Sequence, residues 1–103
     1  MPIDSRTSKG SDQNAVLFPM GRGVMTRGVQ SLCRLTPELP FLLLRRHASG
    51  DWGDLCPGDK ALNRKALLDG SRIFSAYEIE GRRFYVITES DRAVTTVLLA
   101  DEY

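Results

Sequence analysis

The 103 residues hold two cysteines and one histidine. Cys33 and Cys56 cannot form the multi-bridge framework that staples small secreted domains. Zinc would need paired ligand spacings such as C-x₂₋₄-C, whereas Cys33, His47 and Cys56, even with Asp51 or Asp54 added, are scattered. No metal site is expected. Long apolar runs are also missing. The longest, LPFLLL at 39–44, falls far short of the roughly 20 residues a membrane helix needs. The opening MPIDSRTSKGSDQN is polar where a secretory signal would be apolar. The chain therefore reads as cytoplasmic, with reduced thiols and no membrane contact.

An excess of one charge is lacking as well, with 14 Lys and Arg against 13 Asp and Glu. A dedicated nucleic-acid domain usually carries more positive charge. The charge is uneven, however: residues 1–46 carry net +4 and residues 47–103 net −3. Catalytic signatures are missing too. There is no G-x-S-x-G, no H-E-x-x-H and no Walker loop. GRGVMTRG at 21–28 has the small residues of a phosphate loop but fits neither glycine-rich nucleotide motif, and it reads as a turn before a helix. No cofactor is expected.

What is present fits one domain of modest core, with 42% hydrophobic and 26% charged residues. Residues 1–13 are polar and predict a flexible tail, leaving 14–103 as a single α+β domain. A short extended lead-in and a Gly-rich turn precede a first helix. Thr26 suits its N-cap, and Val29, Leu32 and Cys33 lie near one face. In TPELPFLLLRRHASG, Thr36 is placed as N-cap and Pro37 at the first helical position. Arg45, Arg46 and His47 suit the negative C-terminal end, and Gly50 the closing left-handed turn. This helix, over 37–48, is apolar nearly all round, so it is either buried on most sides or leaves an apolar face for a partner, a second copy included. A third helix runs from Pro57 to Gly70 with Leu62 and Ala66 facing inward.

After Gly70 the apolar period changes to two. RIFSAYEIE, RRFYVITE and AVTTVLLA predict three strands joined by a tight turn at Glu80–Arg82 and by ESDR. The fold expected is α+β: two to three N-terminal helices packed on one face of a three-stranded antiparallel meander.

The densest chemistry lies in RRHASGDWGDLCPGD at 45–59, with the lone His, the lone Trp and three Asp. Helix ends and turn chemistry account for much of it, with Trp52 as a loop anchor on the sheet. His47 could serve as a general base oriented by Asp51 or Glu89, but no nucleophile motif accompanies it. If this loop meets the ESDR turn, then His47, Asp51, Trp52 and Asp54 join Glu89, Asp91 and Arg92 in one polar patch that suits protein contact. The partner expected is thus another protein. The alternative is nucleic acid, met by Arg22, Arg27, Arg34, Arg45 and Arg46 of the basic front half.

From about Leu35 onward the chain resembles a family of small bacterial proteins found on plasmids and integrative elements. The resemblance rests on RRHASGDWGDL, on DKALN followed by DGSRIFSAY, and on VITESDRAVTTVLLADEY. It implies an accessory role on a mobile element, against host defence or in plasmid regulation. Members often carry the label of a type I restriction methyltransferase subunit. This sequence does not support that label, because 103 residues cannot hold the large α/β domain such chemistry needs. RIFSAYEIEGRRFYVITESDR is also similar to the sheet of small ribonuclease toxins. That likeness implies RNA contact through Arg82, Arg83, Arg92 and His47.

Overall fold

The computed structural model describes residues 16–103; the tail expected over 1–13 lies outside them. Strand β1 (Arg22–Met25) leads into helices α1 (Arg27–Leu32), α2 (Leu39–Ala48) and α3 (Pro57–Asp69). Strands β2 (Ile73–Ile79), β3 (Arg82–Thr88) and β4 (Val94–Leu99) follow, closed by a 3₁₀ turn at Ala100–Glu102. The class is α+β, as expected, and β2–β3–β4 is the antiparallel meander. Glu80 and Gly81, at φ 50° and 79°, form its two-residue turn.

The sheet is nevertheless four-stranded and mixed, in the order β1-β4-β3-β2. The residues expected to form a Gly-rich turn are strand β1, parallel to β4, with Gly23 opposite Thr95 and Met25 opposite Val97. Parallel neighbours need a long crossover, and here it comprises all three helices and two strands. Such a distant pairing leaves no local mark on a four-residue segment that contains a glycine. Gly21 makes the approach possible: at φ +65°, a Cβ there would lie 2.3 Å from the Ala93 carbonyl oxygen.

Helix α2 begins two residues later than the N-cap chemistry suggests, at Leu39. Pro40 has no N–H to close an α-turn on Thr36, so the Leu39 N–H takes that carbonyl at 3.1 Å. Leu39, Leu43 and His47 then repeat every four residues along its buried stripe, while Phe41 and Leu42 stay exposed. Helix α3 ends at Gly70 (φ 79°) as expected. Its inward residues are Asn63 and Ala66, however, and Leu62 is 63% exposed. The reason is that α3 meets the edge of β2, where backbone groups need partners, so an amide takes the inward position. Two apolar clusters join helices to sheet. One gathers Val29, Leu39 and Leu43 against Tyr77, Phe84, Val86 and Val97. The other comprises Phe18, Trp52, Ala66 and Ile73.

Candidate functional site

His47 occupies the last turn of α2, where sequence places a cation facing the negative helix end. Instead it points into the interior and is fully buried. Its Nδ1 lies 2.6 Å from the Ser75 hydroxyl and its Nε2 2.9 Å from that of Thr88. Thr88 and Thr95 hydroxyls are 2.6 Å apart, and Thr95 donates to the Met20 carbonyl at 2.7 Å. That final acceptor sets the protons of the chain as far as the imidazole Nε2. Thr95 has spent its only hydrogen, so Thr88 donates to it. Thr88 must then accept from His47 Nε2–H, and Ser75 donates to the bare Nδ1. Full burial disfavours the imidazolium, which leaves Nδ1 bare: the ring is the neutral Nε2–H tautomer, with both nitrogens satisfied. Burial, with the Arg92 charge as the smaller cause, holds its pKa down to about 3.

A histidine and a serine at 2.6 Å is a geometry used for nucleophilic activation. Here both side chains have no exposed surface. The Phe18 and Trp52 rings stand edge-on to the imidazole at 5.3 and 5.9 Å. No substrate atom can reach the pair. The arrangement ties α2 to three strands and supplies no chemistry to solvent.

The GDWGD loop does different work. Trp52 C=O accepts from Ala76 N–H at 3.2 Å, and Asp54 N–H donates to Ala76 C=O at 2.7 Å. Gly53 therefore runs as a one-residue parallel bridge along β2. The Asp54 carboxylate accepts from Glu78 N–H at 2.9 Å. Further along, Asn63 Nδ2 donates to Phe74 C=O at 2.6 Å and its Oδ1 accepts from Phe74 N–H at 3.1 Å. The N–H groups on the free side of β2 are thereby sealed by the chain's own loop and helix. A Cβ on Gly53 (φ +75°) would lie 2.0 Å from the Ala76 oxygen, so only glycine fits this bridge.

Asp51 anchors the loop to α2. Arg46 holds its carboxylate at 2.6 Å, keeps it below the usual carboxylate range and lies 4.4 Å over the Tyr77 ring. The Tyr77 hydroxyl donates to the Asp51 carbonyl at 2.6 Å, and burial raises its own pKa. Arg92, at φ 60°, donates to the carbonyls of Ser71, Glu89 and Ala66, which clamps the end of α3 to the β3–β4 turn.

The loop and the turn do converge, through Phe18. Its ring lies 6.2 Å from that of Trp52 and 5.8 Å from the Arg92 guanidinium. His47 and Trp52 are interior, so what the two segments share is a packed joint. The exposed members of the expected patch are Asp51, Asp54, Glu89 and Asp91; the Asp91 carboxylate caps the Ala93 N–H. Of the basic residues, Arg22, Arg27, Arg34 and Arg45 are exposed, while Arg46 is committed to Asp51. Cys33 sits 3.8 Å from the Met25 sulfur and Cys56 is exposed ahead of α3. Among the described residues no three His, Cys, Asp or Glu side chains are grouped as a metal site. No helix among them is long and apolar enough to cross a membrane.

Sequence reasoning passed over Phe18, Asn63, Ser75, Thr88 and Glu102. Glu102 accepts from the Thr26 hydroxyl at 2.5 Å and from Gly28 N–H at 3.0 Å, capping α1 from 76 and 74 residues away. Asn63 alone had a readable signal, an amide interrupting an apolar helical stripe. No protein-family model, curated protein or solved structure matches the chain.

Proposed function

We propose that the protein is a non-enzymatic, cytoplasmic interaction module, and that it makes protein contact by strand addition at β1. The observation that carries this reading is the asymmetry of the sheet. The edge at β2 is sealed, whereas among the described residues no strand or loop pairs with the outer side of β1. Arg22 N–H donates to Ala93 C=O and Thr26 N–H to Val97 C=O, so alternate residues of β1 face β4. Gly23 and Met25 therefore aim their N–H and C=O groups away from the sheet, and no described residue pairs with them. Exposed Arg27 in α1 and Arg34 in the turn after it favour an extended partner segment with acidic side chains. The resemblance to proteins of plasmids and integrative elements supports an accessory role there.

Gly23→Pro is the test. It removes an outward donor without touching the β1–β4 ladder. A tagged chain drawn from a bacterial host at moderate salt is expected to retain a defined protein, and the variant to lose it with its melting temperature unchanged. Retention by both would sink strand addition. The second reading, nucleic acid on Arg22, Arg27, Arg34 and Arg45, rests on their exposure. It requires bound material that washes off steeply with salt.

A further inference from the structure

The helices pack on one side of the sheet, against Tyr77, Phe84, Val86 and Val97. Register places Phe74, Glu78, Arg83 and Tyr85 on the other side, with Arg22 at the far strand. Tyr103 folds back onto that outer face. Its ring lies 6.0 Å from Phe74 and 5.7 Å from Tyr85, which are themselves 4.7 Å apart. Tyr103 remains 68% exposed, and Phe74 and Tyr85 are half-buried. Each tyrosine carries its own guanidinium. Arg83 stands 5.8 Å from the Tyr85 ring centroid, and Arg72 donates to the Tyr103 hydroxyl at 2.9 Å. Against these cations the outer face carries one strand acid, Glu78, 3.8 Å from Arg83, with Asp101 at the rim. A shallow concavity of about 300 Å³ lined by Gly81, Arg82, Arg83, Leu99, Ala100 and Asp101 adjoins the cluster.

We propose that this outer face is a stacking platform for a short single-stranded nucleic acid, separate from the β1 edge. Binding a single strand without a sequence code needs π-faces for the bases and cations spaced among them for the phosphates. The Phe74–Tyr85–Tyr103 cluster provides the first, and Arg83 and Arg72 provide the second. The rings already pack on one another, so little side-chain freedom is lost when a base settles on them. A duplex, whose bases are stacked inside, gains nothing from the rings.

Fluorescence anisotropy of a labelled oligouridylate of about 12 nucleotides tests this. The full chain is expected to bind the single strand in preference to a duplex of equal length. Tyr103→Ala and Arg83→Gln are each expected to weaken binding about tenfold. Arg27→Glu and Gly23→Pro, which alter α1 and the β1 edge, are expected to leave it unchanged. Emission of the buried Trp52 reports that each variant is folded. No binding of the single strand overturns the proposal. So does equal binding of the duplex, or loss of binding in Arg27→Glu with none in Tyr103→Ala. Because the two surfaces are altered separately, failure here leaves strand addition standing, and failure there leaves the platform standing.

Discussion

A single buried histidine makes the largest contribution to the pH response of this protein. His47 stays neutral in the fold down to pH about 3, whereas in the unfolded chain it takes a proton near pH 6.5. Between those values the unfolded state binds one proton more than the native state, so its stabilising contribution is complete above pH 6.5 and falls as pH drops. The expected slope is about 1.4 kcal/mol per pH unit below 6.5, shrinking toward pH 3. Denaturant unfolding from pH 7 to pH 4 will show it. A His47→Gln variant is expected to be less stable at pH 7 and flatter across that range. An equal slope in both proteins would place the titration elsewhere. Sequence identified His47 as special and assigned it a helix-end charge. The difference is burial, which depends on three strands no local pattern ties to residue 47.

At the scale of elements, the sheet edges explain the residues that looked most functional. GDWGD has the richest chemistry in the sequence, and its backbone and Asp54 carboxylate close β2. Asn63 completes the closure, so Asn63→Leu is expected to cost about 2–3 kcal/mol, because the Phe74 N–H and C=O lose their partners. The change should appear in denaturant midpoint with little change in slope. A cost under about 0.5 kcal/mol would mean water replaces the amide. Helices α2 and α3 and the three meander strands were legible to within a few residues, since Pro, Gly and apolar period act locally. Strand β1 was not, because its partner lies some 70 residues away and it contributes only four residues.

For the whole molecule the two edges predict a contrast that hydrogen exchange can read. The amides of Phe74, Ala76 and Glu78 lie on a terminal strand yet are bonded to Asn63, Trp52 and Asp54. They are expected to exchange with the slow core amides, whereas Gly23 and Met25 exchange orders of magnitude faster. Slow exchange at Gly23 and Met25 would show that this edge is covered, against strand addition. The same architecture separates joint from surface. Phe18 gathers Trp52, His47 and Arg92 into one interior seam, and the segments expected to form a contact patch hold the domain together instead.

The sequence by itself determined the α+β class, the helix punctuation and the meander, because caps, glycines and a period of two act over a few residues. Tertiary structure decided the fourth strand, the neutrality of His47, the sealing of one sheet edge and the clustering of Phe74, Tyr85 and Tyr103. Each of those depends on groups brought together from distant parts of the chain, where the controlling quantities are burial and unpaired backbone hydrogen bonds. Neither exists until the chain has folded.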